Sequence, residues 1–323
     1  MRLSAEAAQA LVVQTLARSG LSSHDAEIVA QALVEAELCG RATHGLARLP
    51  GIARTCRELC GGPPVLVTDR GAAACLDGRG GLGYVVCHRA VREATERAQR
   101  HGLAVVAVRN VRHMGMLGYY VRLLAERDIV GLAFADCRPL VAPFGGTQAV
   151  LGTNPIAAAF PWQPFPIVID TGTSAVTFGD VMLARTQGRP LPAGVALDSD
   201  GRPTIDAAKA TAGALLPWAG HRGYVFGVMA QLFAGALTLA GGLPTSGDDY
   251  GMLILALRAN LFGEREAYMA EVSRFVAATR AARKASGVRE ILLPGERAWR
   301  ERSRRLREGI EVPDELLREI RGG

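Results

Sequence analysis

Residues 72–83 read AAACLDGRGGLG, an apolar run that leads into glycines, and this stretch decides between two kinds of fold. Gly78, Gly80 and Gly83 form a GxGxxG pattern between a strand-like segment and a helical one. In a Rossmann fold this pattern binds a pyrophosphate, and an acidic residue at the end of the next strand holds the ribose. Arg109 stands at that strand end instead. We therefore expect the glycines to form a tight turn that lets the helix pack closely, outside a Rossmann fold.

Strand-like and helical segments alternate around this stretch, which predicts an α/β protein. Residues 4–60 are predicted helical, with Ser4 and Ser22 as N-caps. The Gly-Gly-Pro-Pro run at 61–64 breaks the helical pattern and marks a domain boundary. The other predicted elements are strands at 72–76, 103–108, 130–135, 156–160 and 167–170 and helices at 84–100 and 119–126. After Pro203 the chain is predicted mainly helical, and the last predicted strand is 290–293.

The composition is typical of a globular protein. The chain has 323 residues, of which 49% are hydrophobic and 21% charged, and its formal net charge is +6. At about 100–200 residues per domain, this length predicts two domains. The densest basic run, residues 297–307, also contains glutamates, so we expect a solvated helix there and no nucleic-acid partner.

One apolar stretch, residues 223–244, is long enough to cross a membrane. Gln231 and five glycines interrupt it, so we expect a buried helix and no membrane association.

Glu6 lies where a signal peptide needs apolar residues. The six cysteines form no CxxC pair and no zinc-type cluster with histidine. We therefore expect a cytoplasmic protein without a metal site.

Two histidines stand in segments suited to proton transfer. His44 lies in Thr43-His44-Gly45 with Arg48 one turn later, and an arginine can pair with a carboxylate through two hydrogen bonds. A solvated or core-capping role for His44 stays an alternative. His113 follows a predicted strand and precedes a helix, where α/β proteins often place functional groups. That position favours His113 as the proton donor.

Three turns could approach a phosphate or an amide, although each alone is more often structural. They are Gly152-Thr153-Asn154-Pro155, Asp170-Thr171-Gly172-Thr173-Ser174 and Gly220-His221-Arg222-Gly223. The last precedes the long apolar helix, whose N-terminus favours an anion.

Six segments in order resemble one family. They are Thr43-His44-Gly45-x-x-Arg48-x-Pro50, His113-x-Gly115-x-x-Gly118-Tyr119-Tyr120, Val141-Ala142-Pro143-Phe144-Gly145-Gly146, Gly152-Thr153-Asn154-Pro155, Asp170-x-x-Thr173-Ser174 and Leu293-Pro294-Gly295-Glu296. The series is similar to the type-2 malate/L-lactate dehydrogenases, a family that includes ureidoglycolate, sulfolactate and diketogulonate dehydrogenases and cyclic-imine reductases. The resemblance covers nearly the whole chain.

The resemblance implies an α/β fold with layered α+β character and a non-Rossmann nicotinamide-binding domain on a largely antiparallel mixed sheet. It also implies a helical domain built from both termini, and a homodimer. Residues 1–62 would be the helical N-terminal part and 63–260 the cofactor-binding domain. Residues 261–323 would return to the N-terminal part as helices.

Site roles follow from the resemblance alone. It implies that His44 and His113 transfer protons and that Arg48 binds the substrate carboxylate. The implied cofactor is NAD or NADP, with NADPH favoured. Its implied contacts are Thr153, Asn154, Asp170, Thr173, Ser174, Arg222, Gly223, Gly295, Glu296 and Arg297.

The chain departs from the family pattern around the substrate. Thr43 replaces a serine, and Ile52 replaces a tyrosine. Arg112 stands where an asparagine is usual, and Arg138 lies in a segment where small residues are common. Thr43, Arg112 and Arg138 are therefore candidates for contact with the substrate.

The resemblance implies an NAD(P)-dependent oxidoreductase that transfers hydride between nicotinamide and a small, anionic 2-oxo or 2-hydroxy acid. Two alternatives stay open. One is an NADPH-dependent cyclic ketimine reductase of amino-acid or natural-product metabolism, in which Arg112 and Arg138 serve an additional anionic group. The other is an inactive paralogue that binds a nucleotide.

Overall fold

The computed structural model describes residues 1–59, 62–243 and 249–322. Its strands are β1 (Arg2–Leu3), β2 (Val65–Arg70), β3 (Ala73–Gly81), β4 (Leu103–Val111), β5 (Ile129–Ala135), β6 (Ile156–Phe160), β7 (Ile167–Thr171), β8 (Ala196–Leu197), β9 (Ala214–Leu215), β10 (Tyr250–Arg258) and β11 (Ile310–Glu311). Its α-helices are α1 (Ala5–Arg18), α2 (Ser23–Leu38), α3 (Leu49–Glu58), α4 (Gly83–His101), α5 (Leu117–Ala125), α6 (Phe178–Thr186), α7 (Ala207–Ala212), α8 (His221–Gln231), α9 (Arg265–Ala281), α10 (Glu296–Glu308) and α11 (Asp314–Gly322).

Seven strands form one mixed sheet in the order β2-β3-β4-β10-β5-β6-β7. Among the described residues, β3 and β4 are the one parallel pair in this sheet, and all its other neighbours are antiparallel. A doubly wound Rossmann sheet is mostly parallel. The fold is therefore a mixed α/β fold with a mostly antiparallel sheet, as expected.

Gly78 and Gly83 of the GxGxxG pattern serve close packing, as predicted, whereas Gly80 has a φ of +74° and open space around it. Gly78 lies in β3, and Gly83 is the first residue of α4, so the pattern sits inside a β3-α4-β4 unit. A Cβ on Gly83 would lie 2.3 Å from the Arg112 carbonyl oxygen, and one on Gly78 would lie 2.3 Å from Val111 Cγ1. The absence of a side chain at these two positions lets β3 and the start of α4 both lie close to the end of β4.

The helix caps confirm the two predicted starts in the N-terminal region. The Ser4 hydroxyl accepts a hydrogen bond from Ala7 N, and the Ser22 hydroxyl accepts one from Asp25 N, each at 3.1 Å. The predicted elements between residues 72 and 170 also form, with shifts of a few residues at their ends. Of the predicted break at 61–64, residue 61 lies outside the described residues.

Two predictions for the C-terminal half are wrong. β10 lies in the part predicted mainly helical, yet it is a central strand between β4 and β5. Its sequence YGMLILALR is a continuous apolar run because both faces are buried, and such a run lacks the alternation that identifies a strand. Residues 290–293 form no strand. β2 was also missed, because its exposed residues show no buried face.

The long apolar stretch is a two-faced helix, which corrects the expectation of a buried one. α8 continues into a π-helical turn, Leu232–Ala236. Small residues such as Ala230 and Ala234 face the core, whereas Leu232, Leu237 and Leu239 are 55%, 62% and 74% exposed. The predicted end at residue 244 lies outside the described residues. In the described part of the chain, no helix has the length and apolarity needed to span a bilayer.

The two ends of the chain meet. β1 pairs with β11, and Arg302 of α10 forms an ion pair with the buried Glu35 of α2 at 2.9 Å. α9 packs elsewhere: its Val276 lies in an apolar cluster with Ile167 of β7. Chain segments from both termini therefore surround α2, while α9 covers the β7 edge of the sheet.

Candidate active site

The predicted catalytic residues converge on one cavity of about 440 Å³. We call it the histidine cavity. It is lined by residues from six separate parts of the chain, among them His44, Arg48, His113, Arg138, Thr153 and Asp170. The structure thus brings together side chains that are more than 120 positions apart in the sequence.

The His44 segment is built from two single 3₁₀ turns, Ala42–His44 and Leu46–Arg48. Gly45 joins them with an extended ψ of −140°, so the chain changes direction between the turns. Arg48 Nε donates a hydrogen bond to the Thr43 carbonyl oxygen at 2.7 Å. That bond returns the guanidinium to the side of His44.

The His113 segment is the loop between β4 and α5. The Tyr120 hydroxyl donates to the Met114 carbonyl oxygen and anchors the loop to α5. Gly115 has a φ of +80°, and a Cβ there would lie 2.4 Å from the ring of Tyr84. A residue with a side chain at 115 would be strained and would also clash. The loop is therefore fixed from both sides.

The two imidazole rings lie 6.3 Å apart between centroids, with their planes 29° from parallel. His44 Nδ1 lies 3.2 Å from the Thr43 hydroxyl, which can orient the ring. His113 Nε2 is buried and has no hydrogen-bond partner among the described residues. A buried polar atom without a partner is costly, and a group bound in the cavity would satisfy it.

Burial and nearby arginine hold both histidines neutral. Burial, and after it the charge of Arg48, lower the pKa of His44 to about 4. The same two causes, in the same order, lower the pKa of His113 to about 3. At neutral pH both rings can accept a proton from a bound hydroxyl group.

Two carboxyl groups at the cavity wall have raised pKa values. Burial raises the pKa of Asp170 to about 6, although Gly118 N donates to the carboxylate at 2.8 Å. Burial likewise raises the pKa of Asp136 to about 6, against hydrogen bonds from Gly251 N and Gln231. Both carboxyl groups therefore titrate within reach of physiological pH.

The cations of the cavity suit an anionic ligand. Arg41, Arg48 and Arg138 all line it. The Arg138 guanidinium lies 4.6 Å from the centroid of the Phe178 ring, a cation–π arrangement that keeps the side chain at the cavity mouth.

Two further clefts share lining residues with the histidine cavity. Arg41 and Asp170 also line a cleft of about 280 Å³ beside Trp299, the Trp299 cleft. Arg41 and Gly295 also line a groove of about 690 Å³ that contains Arg297, the arginine groove. A long molecule could therefore extend from the histidines to Arg297.

Several predicted cofactor residues make hydrogen bonds within the protein. The buried Asn154 amide donates to Gly227 O and to Gln231 Oε1, each at 3.0 Å. Thr173 Oγ1 donates to Thr153 O, and Ser174 Oγ donates to Val176 O. These side chains tie the 152–155 and 170–174 turns to α8 and to each other.

The other residues predicted to contact the cofactor or the substrate lie in different parts of the structure. A Cβ on Gly223 would lie 2.4 Å from Trp218 O, so this glycine lets α8 pack closely. Arg222 is exposed. Glu296 is buried and pairs with Arg300 at 2.7 Å. Arg112 lines a small cavity next to Arg48 and His113. Within the described residues, no three His, Cys, Asp or Glu side chains are placed to hold a metal ion.

Sequence reasoning missed several cavity residues. The missed residues include Arg41, Phe178, Asp180 and Tyr250. Arg41 lies two residues before Thr43, and this short distance in the sequence could have indicated that it lines the same site. Tyr250 begins β10, and without that strand nothing in the sequence connected it with the histidines.

The sequence of the chain is similar to that of a known family and to those of individual proteins. The sequence model of the malate/L-lactate dehydrogenase family matches residues 3–321. L-sulfolactate dehydrogenase of Methanothermobacter thermautotrophicus is 31% identical to the chain, across 100% of this chain and 96% of the relative. A (2R)-3-sulfolactate dehydrogenase (NADP(+)) of Chromohalobacter salexigens is 34% identical, across 99% of this chain and 97% of the relative.

Two solved structures extend the similarity to the fold. A dehydrogenase from Sinorhizobium meliloti superposes with a TM-score of 0.93 at 32% identity, covering 100% of this chain and 97% of its own. Delta1-piperideine-2-carboxylate reductase from Pseudomonas syringae pvar. tomato superposes with a TM-score of 0.85 at 28% identity, covering 100% and 99%.

Proposed function

Because the chain belongs to the malate/L-lactate dehydrogenase family, it is an oxidoreductase of small hydroxy acids, and we propose that its reaction takes place in the histidine cavity. Its substrate there is a 2-oxo acid or the matching 2-hydroxy acid. The observation that carries this proposal is the convergence of His44, His113 and Arg48 on one cavity. When bound, a nicotinamide cofactor supplies or accepts the hydride.

Arg48 holds the substrate carboxylate. Its Nε is already bonded to Thr43 O, so the guanidinium has a fixed direction beside both histidines. A planar fork of two N–H groups fits a carboxylate better than an ammonium does. The carboxylate then fixes the neighbouring C2 oxygen near the imidazoles.

A histidine exchanges the proton of the C2 oxygen. His113 Nε2 is the better candidate, because it is buried and has no partner among the described residues. In oxidation the neutral ring accepts the hydroxyl proton, and in reduction the protonated ring returns it. His44 orients the substrate from the other side, with Thr43 Oγ1 near its Nδ1.

The continuous clefts fit a dinucleotide. Asp170 lines both the histidine cavity and the Trp299 cleft, and Thr153 lines the histidine cavity. Gly295 has a φ of +82°, and a Cβ there would lie 2.9 Å from Val168 O, so this glycine lets the start of α10 pack closely against β7 at the wall of both clefts. Arg41 and Arg297 can pair with the phosphates. Contacts of Asn154, Thr173, Ser174, Arg222, Gly223 and Glu296 with the cofactor stay predictions.

NADP is the proposed dinucleotide. The arginine groove is lined by Arg41 and Arg297, which favour an additional phosphate over a plain ribose, whereas Arg300 and Arg304 of the same groove form ion pairs with glutamates. The NADP(+) named for the Chromohalobacter salexigens relative agrees with this choice. Equal Kd values for NADPH and NADH, measured by fluorescence quenching, would contradict it.

We also propose that the protein is a homodimer, that its chain forms two domains and that it is located in the cytoplasm. The exposed apolar face of α8 supports a second copy as its cover. Contacts between the termini support a helical domain made of residues 1–62 and 261–323 around the 63–260 domain, with α9 reaching across to the sheet. Five thiols, none in a disulfide within the described residues, suit a reducing compartment.

A cyclic ketimine is a second candidate substrate. The similarity to delta1-piperideine-2-carboxylate reductase supports it, because both substrate classes carry a carboxylate next to the reduced carbon. Reduction of a cyclic 2-imino acid, measured beside an open-chain 2-oxo acid of equal carbon number, decides between C=N and C=O.

The substitution Arg48→Lys tests the central assignment. We expect KM for the acid to rise at least tenfold while the Kd of NADPH stays within twofold, because only the carboxylate fork is lost. Arg54→Lys is the matched control, since Arg54 lies on α3 beside the same segment but is exposed. An unchanged KM in Arg48→Lys would remove Arg48 from the substrate site.

A further inference from the structure

A second, smaller cavity of about 200 Å³ lies beside the catalytic residues. Its lining includes Arg48, Ile52, Thr55, Tyr84, Arg112 and His113. Arg48 and His113 also line the histidine cavity, so these two side chains stand at the wall common to both. A molecule held by Arg48 beside His113 therefore has the small cavity within reach of its other end.

We propose that the small cavity is a substrate subsite: it takes the side chain of the 2-oxo or 2-hydroxy acid, and Arg112 binds a second acidic group at the end of that side chain. The inference rests on the proposed function of the histidine cavity and specifies its substrate class. The substrate is then a dianion, with one carboxylate on Arg48 and one oxyanion toward Arg112.

The charges of the lining favour an anion. Two guanidinium groups line the small cavity, and no described lining residue carries a carboxylate. Arg112 Nε donates to the Gly80 carbonyl oxygen at 3.2 Å, which fixes the guanidinium against β3. A fixed planar guanidinium loses little side-chain entropy when it pairs with an oxyanion.

Buried polar atoms point to a ligand as well. The Tyr84 hydroxyl and His113 Nε2 are both buried without a hydrogen-bond partner among the described residues. The two rings meet edge to face with centroids 6.0 Å apart. An oxyanion in the small cavity would accept a hydrogen bond from the Tyr84 hydroxyl and remove that cost.

The apolar part of the lining and the volume suit a short carbon chain. Ile52 and Leu82 supply aliphatic surface between the polar residues. The volume of about 200 Å³ is many times the roughly 10–15 Å³ that one water needs. A side chain of two or three carbons that ends in a carboxylate fits this mixture of surfaces.

Two acids of equal length test the proposal. 2-Oxoglutarate and 2-oxopentanoate share five carbons and the 2-oxo acid group, and only the first has a terminal carboxylate. Calorimetric titration of the wild-type protein with each acid should give a Kd at least tenfold lower for 2-oxoglutarate. In Arg112→Gln the two Kd values should agree within about twofold, while pyruvate binds as in the wild type.

A second variant guards against loss of folding in the first. Ile52→Phe fills the small cavity, so both five-carbon acids should bind at least fivefold more weakly while pyruvate is unaffected. Arg138→Gln tests the competing placement of the acidic group, in the histidine cavity. Loss of the 2-oxoglutarate preference there and not in Arg112→Gln would place the acidic group in the histidine cavity and overturn the proposal.

The binding data also separate the two levels of inference. Equal Kd values for the two acids in the wild type, together with normal hydride transfer, would refute the subsite and leave the proposed function intact. A preference for 2-oxoglutarate that depends on Arg112, without hydride transfer to or from NADP(H), would support the subsite and refute the proposed function.

Discussion

The Glu37 carboxylate accepts a hydrogen bond from Leu46 N at 2.8 Å. It also fills the space beside Gly45, where a Cβ would lie 2.3 Å from Glu37 Oε1. Glu37 is buried in α2, and Arg305 of α10 donates to its backbone carbonyl oxygen at 2.8 Å. A buried acid thus supports the turn that carries His44, and the C-terminal part of the chain supports the acid.

Gly45→Ala should weaken substrate binding, because its Cβ would displace the Glu37 carboxylate and shift the turn. A broken buried hydrogen bond costs about 1–3 kcal/mol, so we expect KM for the acid to rise about tenfold with a smaller change in kcat. Glu37→Gln keeps an oxygen for Leu46 N and should be milder than Glu37→Ala. Gly263→Ala, which meets nothing within 4 Å, is the control. Equal effects in both glycine variants would argue against the support role.

His113→Asn and His44→Asn should differ in the chemical step. Loss of the proton donor lowers kcat by about 10²–10⁴-fold, and we expect that loss for His113. Loss of His44 should mainly raise KM, because it orients the substrate. Single-turnover hydride transfer measures the step, and the Kd of NADPH should stay within twofold for both variants. If neither substitution slows hydride transfer tenfold, a bound water or Thr43 must carry the proton.

The pH dependence should differ between the two directions. Because the pKa values of His44 and His113 are lowered to about 4 and about 3, both rings are neutral in the free protein at pH 7. We expect kcat/KM for oxidation to show no histidine titration near pH 6.5. For reduction it should rise as the pH falls from 8 to 5, because the protonated fraction grows about tenfold per unit.

Asp170 provides the control for that profile. Burial raises its pKa to about 6, so a change in activity near pH 6 would come from this carboxyl or from Asp136. Asp170→Asn should remove the part of the activity change near pH 6 that comes from Asp170 and leave the part that comes from Asp136. A plateau at pH 6.5 that depends on His113 would contradict the neutral-ring account.

Leu237→Glu should separate a dimer into single chains. Leu237 is 62% exposed on the apolar face that follows α8, and a charge there is costly to bury. Sedimentation at micromolar concentration should give a dimer for the wild type and a monomer for the variant. Phe262→Glu is the control, because Phe262 is 95% exposed in a loop away from this face. A wild-type monomer would refute the proposed dimer.

The site residues that the sequence predicted belong to short motifs. His44, Arg48 and His113 stood out because acid–base and carboxylate chemistry require those residue types, and the structure places all three at one cavity. Asn154 and Thr173 had the right type for a ligand contact, yet their side chains bond to the protein's own backbone and side chains. A sequence does not distinguish a donor used inside a turn from one aimed at a ligand.

The fold was predictable where burial alternates. β4 and β5 have one face more buried than the other, and both were predicted. β10 is buried on both faces and rich in leucine, so its pattern fits a helix as well as a strand. Its place between β4 and β5 depends on contacts across more than a hundred residues, which no local pattern encodes.

The late position of β10 affects the protein while the ribosome is still making it. β4 and β5 are complete about 120 residues before β10, which at roughly 5–20 residues per second leaves about 6–24 s without the strand that joins them. During this interval each presents an open edge to other nascent chains. Overexpression should therefore yield aggregates unless slow synthesis or an edge-covering chaperone protects these two strands.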